Sequence, residues 1–203
     1  MDATGWDERY SAAELVWTER PNAFLAEILA DAAPGRALDV AAGEGRHAVW
    51  LARLGWQVTA VDFSAVGLER AQAWAEAEGV AARLTTVVAD VAAFRPAPDS
   101  FDLALFAYVQ LPAEARTAAI RNAAGGVAVG GRVVLIAHDS SNLTEGFGGP
   151  PDPAYLYPPQ DVLADLAGAP GHWVADRAEV VERVVAEAPR PARDALVVAR
   201  RVQ

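Results

Sequence analysis

Between Ala37 and Ala137 the chain alternates apolar, β-branched runs with runs of helical period, and glycine stands at most of the junctions. The pattern predicts strands over 37–42, 57–61, 83–89, 101–106 and 131–137. Helices are expected between them over 45–54, 64–78 and 112–124. Strand and helix in strict turn constrain the fold severely, because parallel neighbours need a crossover that a helix supplies. A further helix is expected over 21–33, with Pro21 suited to a first turn and Pro34-Gly35 as its stop.

The rhythm changes near the C-terminus. A helix over 159–166 precedes two β-rich runs, 173–185 and 195–202, separated only by a turn-like EAPRPARD. That link is too short for a crossover, so the two runs should form an antiparallel hairpin. The expected fold is α/β: a Rossmann-like, doubly wound, seven-stranded sheet, mostly parallel with a C-terminal antiparallel β-hairpin. At 203 residues and 53% hydrophobic content, one domain with a sizeable core is expected. Its parts are an N-terminal helical cap (1–36), a core (37–139), a Gly- and Pro-rich loop (140–158) and the helix with the terminal hairpin (159–203). A loop of that length in a compact domain is usually functional or disordered.

Composition removes several kinds of chemistry. The chain has no cysteine, so disulfides, zinc–thiolate sites, iron–sulfur clusters and thiol nucleophiles are out. It has no lysine either, which rules out Schiff-base and P-loop lysine chemistry. A formal charge of -10 opposes attraction to phosphate backbones, so no nucleic-acid partner is expected. MDATGWDERY lacks a signal-peptide core, and no run of about 18 apolar residues follows. A cytoplasmic protein with no membrane partner, monomer or homodimer, is expected.

The most informative stretch is ALDVAAGEGRHA followed by the apolar run that ends in Asp62. The expected strand carries Asp39, then Ala-Ala-Gly-Glu-Gly, then a helix. Glycines at 43 and 45 make room for a ligand at the backbone, and the following helix offers its amides. Asp62, 17 residues beyond Gly45, falls beside that turn at the carboxyl edge of a parallel sheet. A carboxylate there can accept both hydroxyls of a ribose. Gly43-x-Gly45-x-x-Ala48 also fits the dinucleotide pattern G-x-G-x-x-G/A, so a nicotinamide cofactor is an alternative. Against it stand the late start of the pattern, after about forty residues, and the hairpin at the end of the chain.

With these features together the chain resembles class I S-adenosylmethionine-dependent methyltransferases, particularly the small enzymes similar to the tellurite-resistance methyltransferase. The resemblance runs from Trp6 to the final strand. The family motif D/E-x-G-x-G-x-G is matched by Asp39 to Gly45, with Ala41 in place of its first glycine. The resemblance implies S-adenosyl-L-methionine as cofactor, held by Asp39, Ala41, Gly43, Gly45 and Arg46. It makes Asp62 the ribose acid and sets Phe63 beside the adenine. Asp90 and Val91 in VVADV correspond to the adenine-contacting pair, and FAYVQL, beginning at Phe106, to the loop passing the methionine moiety. The N-terminal WDERY corresponds to a segment that folds over the cofactor, where Arg9 or Tyr10 could meet the methionine carboxylate.

Methyl transfer is an in-line displacement in which alignment and water exclusion supply much of the rate. A neutral hydroxyl acceptor must also lose a proton, and His138-Asp139, just past the fifth strand, are the expected catalytic residues. Tyr108, Asn142, Tyr155 and Tyr157, with Phe147, lie on segments at the same edge and are expected to line the acceptor pocket. No metal site is expected: the fourth strand ends in LFAYVQ without an acid, and the three histidines have no ligand spacing. The expected activity is methylation of a small-molecule hydroxyl. Methylation of a chalcogen oxyanion or thiol, nicotinamide-dependent oxidoreduction and noncatalytic cofactor binding are the alternatives.

Overall fold

The computed structural model describes residues 3–12 and 18–203. Helices α1 (Ala3–Ala12) and α2 (Ala23–Leu29) precede the alternating core. The core runs β1 (Arg36–Val40), α3 (Arg46–Arg53), β2 (Gln57–Asp62), α4 (Ala65–Ala77), β3 (Leu84–Val88), β4 (Phe101–Ala107), α5 (Ala113–Gly125) and β5 (Val127–His138). A short α6 (Asn142–Glu145), then α7 (Pro159–Ala167), β6 (Trp173–Arg183) and β7 (Ala192–Arg201) complete it.

The strands form one seven-stranded sheet in the order β3-β2-β1-β4-β5-β7-β6. The first five pair in parallel, and β7 pairs antiparallel with both β5 and β6. The chain thus has the expected α/β class and the expected hairpin. The order reverses between β1 and β4, where the connections after these strands diverge to opposite faces. That divergence opens a crevice at their carboxyl ends, the usual ligand position in such sheets.

Alternation along the strands divides the core between the two faces. Ala37, Leu103 and Leu105 pack with Leu51 and Leu68 of α3 and α4. Leu38, Val40 and Phe106 pack with Ile120 of α5 and Val162 of α7. Local capping sets several helix starts. Asn22 Oδ1 accepts the amides of Phe24 and Leu25, and Ser64 Oγ accepts that of Gly67 at 3.0 Å. Such caps contribute about 1 kcal/mol each.

Some boundaries differ from the sequence expectation. The helix expected over 21–33 ends at Leu29, before Pro34-Gly35 can act as its stop. The fifth strand begins at Val127, because an irregularity in its pairing with β4 absorbs Gly130 and Gly131. The loop at 140–158 contains α6 and a single 3-10 turn, Pro153–Tyr155, nucleated when Asp152 accepts the Ala154 amide. Of the expected cap at 1–36, residues 1–2 and 13–17 lie outside the described residues.

Gly45 opens α3 at φ +81°, and a Cβ there would lie 2.5 Å from Ala71 Cβ and 3.1 Å from Ala71 Cα. Gly45→Ala should therefore cost about 3 kcal/mol in a urea titration, adding α3–α4 overlap to backbone strain. Gly79, at φ +71° with nothing within 4 Å of where a Cβ would stand, isolates the strain alone. Gly79→Ala should cost about 1 kcal/mol in the same titration.

Candidate active site

The glycine turn is held by Asp62 from beneath. Its Oδ2 accepts the Gly43 amide and its Oδ1 the Ser64 amide, both at 2.8 Å. Burial raises the Asp62 carboxyl while these amides pull it back. Asp39 is buried alongside, with Oδ2 lacking a hydrogen-bond partner among the described residues. Burial, then the charge of Asp62, pushes its carboxyl up to about 7, against the Ala48 amide and Arg46. Ala41 sits at φ +56°, the left-handed region in which the family motif has glycine. Gly43 and Gly45 share that hand of backbone at φ +54° and +81°. Asp39, Ala41, Gly43, Gly45 and Asp62 are thus gathered at one edge of the sheet.

Helix α1 lies across this turn. The Tyr10 hydroxyl occupies the position that a Cβ on Gly43 would need, and its ring edge rests on Gly67. Arg70 bonds the Tyr10 carbonyl and pairs with the buried Glu44 at 2.8 Å, while Ser64 Oγ bonds Asp7. Tyr10 therefore covers the glycine turn itself, and Arg9 stacks on Trp6 at 5.1 Å. Phe63 is half-buried at the end of β2. Asp90 is exposed and accepts the Ala92 amide at 2.9 Å, while Val91 is buried in the core.

Across the switch point a second cluster centres on a residue that sequence reasoning missed, Asp194. It is fully buried, and the β5–β7 register sets it opposite His138. Asp194 Oδ2 accepts the Tyr108 hydroxyl and Arg183 Nε, each at 2.7 Å. Asp194 Oδ1 lies 3.0 Å from His138 Nδ1, a close approach whose angle is poor for a hydrogen bond. Burial raises the Asp194 carboxyl, but His138, Arg183 and Tyr108 outweigh it and hold it below the usual carboxylate range. Tyr108, at φ +58°, also accepts Asn22 Nδ2 at 2.9 Å, and the Arg183 guanidinium lies 5.3 Å from its ring centroid. Burial, then the Asp194 charge, pushes the Tyr108 phenol far up, so it stays neutral.

His47 belongs to the same face. Its Nε2 accepts the Asn22 amide, and burial lowers the imidazole to about 3, leaving it neutral. Arg46, the first residue of α3, is half-buried. Burial lowers its guanidinium, Tyr108 and Asp39 raise it, and Arg183 is near enough to repel it.

Several expected site residues have other occupations. Asp139 Oδ1 accepts both the amide and the hydroxyl of Ser141, closing a turn, while its buried Oδ2 has no hydrogen-bond partner among the described residues. Asn142 donates to the Gly148 carbonyl and accepts the Arg193 amide, which makes it a buried staple of the loop. Tyr157 is core: its hydroxyl donates to the Val109 carbonyl at 2.9 Å and Arg116 stacks on its ring at 4.7 Å. Phe106 is likewise buried among the side chains facing α5 and α7. Tyr155, in the 3-10 turn, is half-buried, and Phe147 is exposed. No group of three or more His, Cys, Asp or Glu side chains among the described residues could hold a metal ion. No described helix is long and apolar enough to cross a membrane.

Residues 37–131 match the family described as "Methyltransferase domain". No curated protein matches the chain. Solved structures share the fold at low identity. An S-adenosylmethionine-dependent methyltransferase from Methanosarcina mazei is 14% identical with a TM-score of 0.70, over 90% of this chain and 99% of that one. TehB from Haemophilus influenzae is 17% identical with a TM-score of 0.69, over 98% of this chain and 66% of that one. Magnesium protoporphyrin IX methyltransferase from Synechocystis, solved with S-adenosylhomocysteine, is 19% identical at 0.67, over 98% and 84%.

Asp39 keeps its proton in the fold up to about pH 7, against an ordinary value of 3.8 for the unfolded chain. Between those values the native state binds more protons, so this residue's contribution to stability falls as pH rises and levels off above the window. Asp39→Asn abolishes that dependence. Its stability relative to wild type should rise from pH 4 to pH 7 and stay flat beyond, as read by urea unfolding; a constant offset would contradict the assignment.

Proposed function

We propose that this protein transfers a methyl group from S-adenosylmethionine to a hydroxyl of a small-molecule acceptor, a reading supported by the methyltransferase-domain match over residues 37–131. The domain family supports the donor, and the turn at Asp39–Gly45 offers features suited to it. Asp39 Oδ2 is a buried polar atom without a hydrogen-bond partner among the described residues, and the missing side chain of Gly43 leaves a cradle that the Tyr10 side chain enters. The Asp62 carboxylate takes backbone amides from Gly43, Ser64 and Phe63 and, with about four acceptor sites, keeps capacity for a ribose hydroxyl. When bound, S-adenosylmethionine supplies an electrophilic methyl on a sulfonium, which departs as a neutral thioether when an acceptor displaces it.

The observation that carries the hydroxyl reading is His138. It stands at the carboxyl end of β5 with Nδ1 turned to a buried carboxylate at 3.0 Å, so that Nε2 is the ring nitrogen away from that contact. An acceptor oxygen that attacks the methyl must shed its proton, and Nε2 is a base suited to receive it. An acceptor that is already anionic would have no use for such a group. Tyr108 contributes its ring, since its hydroxyl is committed to Asp194 and Asn22. Gly149 lies over the imidazole, where a Cβ would come within 2.8 Å of Cδ2, so its missing side chain leaves the ring uncrowded.

His138→Ala should lower kcat by about 10²- to 10⁴-fold against a panel of hydroxyl acceptors, with S-adenosylhomocysteine affinity unchanged in calorimetry. Undiminished turnover removes His138 from the chemistry. Asp62→Ala should do the reverse, weakening S-adenosylhomocysteine by about 1.5 to 3 kcal/mol, roughly 10- to 150-fold.

A further inference from the structure

The reading of His138 as a base, on which this inference rests, leaves open what orients the ring, and the buried cluster around Asp194 answers that. We propose that Asp194 is a positioning residue that holds His138 as the Nδ1–H tautomer, so that the lone pair is on Nε2.

The two oxygens of Asp194 are unequally occupied. Oδ2 accepts two donors, the Tyr108 hydroxyl and Arg183 Nε, both at 2.7 Å. Oδ1 has His138 Nδ1 at 3.0 Å and no hydrogen-bond partner elsewhere among the described residues. A carboxylate has no proton to give, so a lone pair on Nδ1 would face a lone pair on Oδ1 across that distance. Only a proton on Nδ1 makes the contact attractive. Arg183 and Tyr108 pin Oδ2, and with it the direction of Oδ1.

The proton balance follows. The acceptor O–H proton passes to Nε2 as the oxygen–methyl bond forms, the sulfur–methyl pair returns to sulfur, and the ring becomes an imidazolium. The Nδ1 proton stays where it is, and the new charge faces the Asp194 carboxylate, which is not itself protonated. The cross-strand register supplies this pairing: His138 and Asp194 are partners on adjacent antiparallel strands, so the sheet fixes their spacing.

Histidine ¹⁵N spectra of the full chain test this without any acceptor, because the protein has only three histidines. His138→Gln identifies the signals. At about pH 9, where an imidazole is neutral, wild-type His138 should be the Nδ1–H tautomer. In Asp194→Asn the side-chain amide can donate to Nδ1, and the Nε2–H tautomer should gain at least about tenfold, with kcat falling by about 10²- to 10⁴-fold and S-adenosylhomocysteine affinity unchanged. A wild-type Nε2–H tautomer overturns the proposal, and that spectrum decides even if Asp194→Asn fails to fold. So does a folded Asp194→Asn chain with an unaltered tautomer. An Nδ1–H ring in an enzyme whose turnover survives His138→Gln overturns the base reading instead, with the pairing intact.

Discussion

A carboxylate without solvent exposure cannot stay ionised unless donors replace the water it has lost. Asp194 meets that requirement with a tyrosine just past β4, an arginine at the end of β6 and a histidine at the end of β5. Removing its charge would leave the half-buried Arg183 beside an unmatched set of donors. The requirement therefore binds four strands, β4 to β7, and, through Tyr108 and Asn22, the start of α2 into one arrangement. Tyr108 adopts a left-handed backbone in meeting it, a conformation that costs energy in a non-glycine residue and is held by its surroundings.

The glycine turn solves a related problem by local means. Asp62 is answered by backbone amides from the turn and the next helix, so sequence neighbours supply most of its partners. Asp39 is left short of partners and drifts toward the neutral form. The two halves of the edge thus differ electrostatically. One presents a strained backbone and a weakly ionised acid, the other an ionised carboxylate ringed by cationic and neutral donors. That division suits a reaction in which one partner is bound by its hydroxyls and the other is relieved of a proton.

Much of this was legible in the primary structure. Alternation from residue 37 to 137 predicted a parallel sheet, and the short link after residue 185 predicted the hairpin, because both follow from how far a chain can travel between paired strands. Asp39, Gly43, Gly45 and Asp62 stand together at the sheet edge for the same reason: they lie within one strand–helix–strand unit whose geometry is regular. Asn142 and Tyr157 misled because adjacency to the right edge was taken for access to it. The loop's own closure and core packing had a prior claim on their polar atoms.

Asp194 and Arg183 carried no comparable signal. They stand in PARDALVV and VVERVV, polar residues near strand ends that read as hairpin termini. What the sequence by itself determined was the order of elements, the hairpin and the chemistry of the glycine turn, all products of short-range chain geometry. What only the tertiary structure decided was the β5–β7 register, the placement of α1 over Gly43 and the convergence on one buried carboxylate. These depend on pairings between residues far apart in the chain, where a slip of one position would turn His138 or Asp194 to the opposite face.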